Sequence, residues 1–299
     1  MAKAVFQSIL DEANQLTSLR RPLIKKISKH FNRFAVSFYT SFYSPQGIIA
    51  DADVDLLKDI LGGMTPDGKK LLLIINSPGG DPLAAERFIK VCREHSDNDY
   101  WVIVPGKAKS AATMISLGAS KIIMTKTSEL GPIDIQVPWG EDLVPAHIIV
   151  SAYEELMEKG TNLPADQRIE PILQQLQVFN APQIERWKLA RDLSRDIAKK
   201  VLQEGNFRGL PEGEAASLLE QFVNPRELKD HGRPIFHSDL AAVDKNNKFQ
   251  VELLEPQSKI YEHVHEYHMR AVFSMTPGRQ QHAKLFETER TAFAVSITG

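Results

Sequence analysis

The stretch Lys70-Leu71-Leu72-Leu73-Ile74-Ile75-Asn76-Ser77-Pro78-Gly79-Gly80-Asp81-Pro82 decides the fold. Its apolar residues run from Leu71 to Ile75, too few for a typical helix and without polar alternation. They read as a strand buried on both faces, as in a parallel sheet. The run stops at Ser77-Pro78-Gly79-Gly80, a turn, and from Pro82 to about His95 the pattern becomes helical. Downstream the alternation repeats. Tyr100–Val104 is a second short buried strand, Ser110–Leu117 follows the Pro105-Gly106 turn as a helix, and Lys121–Met124 is a further strand. Upstream, the aromatic-rich Arg33–Tyr39 suggests a strand. A helix from about Asp51 carries Val54, Leu56, Leu57, Ile60 and Leu61 on its apolar face. Strand and helix alternate at βαβ lengths, so a parallel α/β sheet is expected from about residue 33 to 160.

The flanks differ. Residues 3–31 favour a helix through Val5, Ile9, Leu10 and Leu16, and its basic cluster Arg20, Arg21, Lys25 and Lys26 is expected to be a solvated face. Beyond Pro145 the pattern changes to amphipathic helices over 145–159, 166–179, 182–204 and 211–223, with another near 257–273. From Thr276 no strong periodicity remains, which suggests a flexible tail or an arm on a neighbouring subunit. The expected organisation is an N-terminal helical segment (1–32), an α/β core (33–180), a helical extension (181–275) and a tail (276–299).

Composition narrows the function classes. In 299 residues, 36 basic side chains nearly cancel 38 acidic ones, for a net charge of -2, so the basic excess of a phosphate-neutralising protein is missing and nucleic acid is not an expected partner. The lone cysteine, Cys92, cannot form an internal disulfide and sits in an apolar-periodic stretch that suggests a core position. The first residues hold no apolar run of about 7 to 15, and nowhere is there a run of about 18. No signal peptide and no membrane span are expected, and a cytoplasmic location follows as the expectation.

Two features carry chemistry. Gly79 and Gly80, directly after a buried strand, allow conformations a side chain would block and bring amide N–H groups close to a ligand, although a Gly-Gly turn is also simply a turn. Thirty residues on, Ser110 opens the helix Ser110-Ala111-Ala112-Thr113-Met114-Ile115-Ser116-Leu117 after a glycine-containing turn. A serine there can be a nucleophile at the positive end of the helix dipole, or merely an N-cap.

The combination distinguishes these readings. Asn76-Ser77-Pro78-Gly79-Gly80, then Ser110-Ala111-Ala112 and Leu117-Gly118, resembles the superfamily of ClpP, signal-peptide peptidases and crotonases. Within it the sequence most resembles the serine dehydrogenase proteinase family. Further matching segments are Leu23–Ile27, Leu130-Gly131-Pro132-Ile133-Asp134-Ile135-Gln136, Val144-Pro145-Ala146 and His231-Gly232-Arg233-Pro234-Ile235, so the resemblance covers roughly 20–270. It implies a ClpP/crotonase-like parallel sheet with ββα-type repeats plus a C-terminal helical extension. It also implies Ser110 as nucleophile, an oxyanion hole from the N–H groups of Gly80 and Ala111, and Gly79 as the residue shaping that turn. Members of the superfamily usually assemble as homo-oligomers, and no cofactor is implied.

The general base is less legible. ClpP proper has a histidine after the nucleophile, where this chain reads Glu129–Asp134 without one. Signal-peptide-peptidase relatives place a lysine at the start of a later helix, near Pro145-Ala146-His147 here, and His147 offers an imidazole at that point. His147 is the candidate base, a surface or capping histidine being the alternative. Lys107, Lys109 and Lys126 are also near in sequence, the first two expected to be solvated. Asp134 either orients a base or bonds its own turn. His263, His265 and His268 share a helix without a zinc-binding signature, so no metal is expected, and His231 reads as structural. The resulting expectation is a serine peptidase acting on protein or peptide through an acyl-enzyme on Ser110. The alternatives are an inactive oligomerising scaffold and an acyl-CoA-processing enzyme.

Overall fold

Of the chain, a computed structural model describes residues 16–62, 70–164, 166–223, 233–243, 249–277 and 282–297. Helix α1 (Leu16–Phe31) leads into strand β1 (Phe34–Thr40), and α2 (Asp51–Gly62) connects β1 to β2 (Leu71–Asn76). Both strands are buried at every position, as an apolar run inside a doubly covered sheet must be. Next come α3 (Pro82–Glu94), β3 (Trp101–Val104), the two-residue β4 (Lys107–Ala108), α4 (Ala111–Leu117) and β5 (Lys121–Met124), so that β3, β4 and α4 form a ββα unit.

Strands β1, β2, β3 and β5 are neighbours in that order, all parallel. Each crossover therefore steps the same way across the sheet. Since such crossovers are right-handed, α2, α3 and α4 must lie on one face. Side chains of β2 divide accordingly. Leu71, Leu73 and Ile75 share a core with Leu57, Phe88 and Ile115 of those helices, while Leu72 and Ile74 meet Leu23, Ile24 and Ile27 of α1 on the other face. Cys92 is buried on α3.

After β5 come β6 (Glu129–Leu130), the hairpin β7 (Gln136–Trp139) and β8 (Asp142–Pro145), then α5 (Ala146–Thr161), α6 (Glu170–Leu176), α7 (Ala181–Glu204) and α8 (Glu212–Val223). The carboxyl half of α7 joins the first core through Ile197 and Val201, whereas its amino half packs through Ile184 and Trp187 on Val137 and Ile149 in a smaller one. The remainder comprises β9 (Ile235–Phe236), α9 (His237–Val243), β10 (Val251–Leu253), α10 (Lys259–Met275), β11 (His282–Glu287) and β12 (Ala292–Ser296). Among the described residues the main sheet has seven strands in the order β10-β5-β3-β2-β1-β11-β12, with β10 parallel to β5 and β11 antiparallel to β1. Helix α10 lies beside α1 over the second face, with Val264, Tyr267 and Ala271 in that core.

Three sequence expectations change. The segment expected as a tail is structured where it is described, because residues 282–287 are a strand of the main sheet, with Phe38 opposite Phe286. The basic cluster on α1 is not uniformly solvated. Arg20 is only 1% exposed, because its guanidinium donates to both carboxylate oxygens of Glu287, Nε to Oε2 at 2.7 Å and Nη2 to Oε1 at 2.8 Å. Lys25 and Lys26 are exposed as expected. Lys109 departs as well, buried against Glu129 at 2.8 Å, while Lys107 remains exposed. Val5, Ile9, Leu10, His231 and Gly232 lie outside the described residues.

Candidate active site

The site is built where two turns at the carboxyl edge of the sheet meet, the usual place for chemistry in an open parallel sheet. The turn after β2 and the turn after β3 are joined through backbone. Ser77 N–H donates to Lys107 O at 2.9 Å, and Lys109 N–H donates to Ser77 O at 3.0 Å. Side chains reinforce the join. Asn76 Oδ1 accepts from Lys107 N–H at 2.8 Å, and Ser77 Oγ accepts from Thr40 Oγ at 2.8 Å and from Gly79 N–H at 3.1 Å. The Asn-Ser pair thus holds the glycine turn against the strand that delivers Ser110.

Ser110 stands at the head of α4 with φ 49° and ψ −117° and makes no side-chain cap bond, so it is not serving as a conventional N-cap. The other non-glycine residues at positive φ among those described are Asn32, Asp97 and Asn98, types that tolerate it. For serine the conformation costs about 1–3 kcal/mol. A strained strand-to-helix turn is also how a nucleophilic serine is held out from a sheet edge. Ser110 is half-buried.

Gly79, at φ +105°, fits beneath it. A Cβ there would stand 2.6 Å from Lys109 O, 2.8 Å from Ser110 Cβ and 3.1 Å from Ala111 N. Gly80 is required by a different approach, since a Cβ would be 2.2 Å from Ile49 N. Ile49 N–H donates to Gly79 O at 2.8 Å and Asp81 N–H to Ile49 O at 2.9 Å. Those two bonds bracket Gly80 in a parallel bridge, which turns the N–H of Gly80 itself away from Ile49. Ala111 supplies the first N–H of α4, which has no carbonyl four residues back within the helix. Gly80 and Ala111 are therefore candidate donors beside one serine.

Two braces escaped sequence reading. Thr113, one turn into α4, lies 2.7 Å from Ala108 O and accepts from Gly131 N–H at 3.0 Å. Lys109 joins Glu129 of β6, and a Cβ on Gly131 would meet its side chain at 2.4 Å. A buried lysine ahead of the serine with a glutamate twenty residues later is a signal of this kind, but nothing local pairs them.

From Gly131 the chain runs through Asp134 to Ile135, whose carbonyl accepts from Ala146 N–H at 2.7 Å. That bond fixes the start of α5 and with it His147. His147 Nδ1 lies 3.9 Å from Asp134 Oδ2, beyond hydrogen-bond reach, and is buried without a hydrogen bond. Burial holds the His147 pKa below 6.5, Asp134 opposing that shift and Arg191 adding to it. His147, Asp134 and Arg191 line a cavity of about 180 Å³ together with Ser151 and Arg195. Ser110 is not among its lining residues. The structure thus unites Ser110, Gly79, Gly80 and Ala111, and sets His147 with Asp134 in a cavity that none of those four lines. Of the other candidates, Lys126 is exposed and Lys109 is committed to Glu129.

On the opposite face of the sheet, α10 carries the three histidines. His268 Nδ1 is 3.2 Å from Tyr39 Oη, His265 stacks on Tyr261, and burial drives the His268 pKa down to about 4. Among the described residues no group of three or more metal-ligating side chains comes together. No described helix is long and apolar enough to cross a membrane.

A mutant of the 1510-N membrane-bound stomatin-specific protease aligns over 69% of this chain and 75% of its own at 13% identity and a TM-score of 0.42. Two uncharacterized proteins of Methanocaldococcus jannaschii are similar in sequence. MJ0137 is 34% identical over 148 residues, 48% of each chain, and MJ1495 is 32% identical over 140 residues, 46% of each. The chain spans about half the length of the curated relatives it matches. Residues 47–208, more than half of the chain and including Gly79, Gly80, Ser110 and His147, match the family of ClpP-like SDH-type serine proteinases, and the chain belongs to that family.

Proposed function

We propose that the protein is a serine peptidase that cleaves peptide bonds through an acyl-enzyme on Ser110. Ser110 Oγ attacks the scissile carbonyl, and the N–H groups of Gly80 and Ala111 receive the oxyanion. His147 takes the hydroxyl proton and returns it to the leaving amine as the C–N bond breaks. Water, activated by the same imidazole, then releases the acyl group and restores the serine. Each oxyanion donor is expected to contribute about 2.7–4 kcal/mol to the barrier. The observation that carries this reading is the strained backbone of Ser110 directly above Gly79. The depressed pKa of His147 supports its role, since a base must be neutral to accept a proton. The substrate is a protein or peptide, and the working form is a homo-oligomer.

A second reading is an inactive scaffold, favoured by one observation: among the described residues, His147 has Asp134 and not Ser110 as its polar neighbour. Intact-mass labelling with a fluorophosphonate separates the two. The peptidase gains one adduct that is lost in Ser110→Ala and slowed in His147→Ala. A wild-type protein that gains none is the scaffold.

A further inference from the structure

Helix α7 presents an unused stripe. Its inner face is committed, with Ile184, Trp187, Ile197, Ala198, Val201 and Leu202 buried. On the outer face, Arg186, Leu189, Leu193 and Asp196 are exposed, at spacings of three, four and three residues. That spacing is one coiled-coil seam on a straight helix. Leu189 is 63% exposed and Leu193 43%, a large share for leucines in the middle of a long helix.

The charges around the stripe are also divided. Lys188 bonds Glu154 at 2.8 Å, Lys199 bonds Glu212 at 2.7 Å, Lys200 bonds Glu86 at 2.8 Å, and Arg195 pairs with Glu220. Among the described residues, neither Arg186 nor Asp196 has an ion-pair partner in its own chain. These two flank the leucines symmetrically, three residues before Leu189 and three after Leu193. The stripe is therefore self-complementary under a two-fold axis at residue 191. An antiparallel copy of the helix sets Leu189 against Leu193 and Arg186 against Asp196, each pair occurring twice. This is the isologous pattern of a closed dimer. A parallel copy would instead place like charges together and leave the ends unmatched.

We propose that α7 is a self-association surface on which a second copy of this chain docks antiparallel, through Leu189–Leu193 contacts sealed by two Arg186–Asp196 ion pairs. The occupant is a second copy because the charge order of the seam matches its own reversal. The proposal does not depend on the peptidase reading. Arg191 and Arg195 of the same helix line the His147 cavity, so docking would hold that wall in place.

The test is sedimentation equilibrium of the full chain, as wild type, Arg186→Asp, Asp196→Arg and the double variant Arg186→Asp/Asp196→Arg. All the substituted side chains are exposed, and circular dichroism confirms the fold. Wild type is expected to self-associate. Each single variant, which puts like charges opposite each other twice, weakens the association by about tenfold or more, and the double variant recovers it because both pairs are inverted together. Leu189→Asp is expected to abolish it. A monomeric wild type, single variants that associate as wild type does, or a double variant no better than the singles would each overturn the proposal, whether or not Ser110 labels.

Discussion

Arg20 and Glu287, 267 residues apart in sequence, form a bidentate ion pair that is almost wholly shielded from solvent. Tyr267 Oη donates to the same carboxylate at 2.9 Å and lies 2.5 Å from Ser37 Oγ. One carboxylate thus joins α1, α10, β1 and β11. Removing either charge strands the other in a low-dielectric interior, a loss of about 3–5 kcal/mol. Urea unfolding of Glu287→Gln and Arg20→Met should each show a loss of that size. The variant carrying both should lose much less than the sum of the two.

Strain at Ser110 makes an opposite prediction. Ser110→Gly removes the Cβ from a positive-φ position and should raise stability by about 1 kcal/mol while abolishing fluorophosphonate labelling. Thermal melts and labelling on one preparation check both. A variant that is less stable than wild type would mean the backbone there is not strained.

Gly79 and Gly140 share positive φ but not surroundings, since a Cβ on Gly140 meets nothing within 4 Å. Gly140→Ala should therefore cost about 1 kcal/mol and leave labelling intact. Gly79→Ala must displace the backbone of Lys109 and Ala111, so it should cost more than about 2 kcal/mol and eliminate labelling.

The pH dependence of labelling follows from the groups around His147. Only the neutral imidazole accepts a proton, so the rate should rise with pH through a midpoint below 6.5. Arg191→Gln removes a nearby positive charge and should move that midpoint up. Asp134→Asn removes a negative one and should move it down. A midpoint indifferent to both substitutions would take His147 out of the mechanism.

His268 governs stability with the same sign by a different route. Its folded pKa of about 4 is below its unfolded value of 6.5. The unfolded chain therefore binds more protons between those values, and stability is complete above pH 6.5 and declines as pH falls towards 4, by about 3 kcal/mol in all. Urea midpoints measured across that window should show the decline in wild type and a smaller one in His268→Phe.

The parallel strands and crossover helices were legible because each is a local pattern. Leu71–Ile75 is uniformly apolar, and the alternation of short strands with helices names the sheet. Ser110 and the Gly79-Gly80 turn were legible as a pair in order, not singly. What local patterns could not show were features whose partners are remote. Arg20 looks like a solvated charge until Glu287 arrives, and Lys109 looks like a loop lysine until Glu129 is placed beside it. His282-Ala283-Lys284-Leu285-Phe286-Glu287 is a strand whose buried charges disguise it: Lys284 is there to meet Asp53 at 2.7 Å and Glu287 to meet Arg20. Asp134 and His147 stand thirteen positions apart across an unexpected hairpin.

The position of β11 also sets an order of assembly. It pairs with Ser37–Thr40, immediately before the loop whose Ile49 backs Gly80, and the ribosome makes it long after Ser110. A nascent chain that has already emerged past Ser110 still lacks the strand that pairs with β1 ahead of the Ile49 loop beside Gly80. The turn that carries Gly80 is thereby completed only after residues 282–287 have been made, so a chain cut between Ser110 and β11 would present the serine beside an unbraced loop.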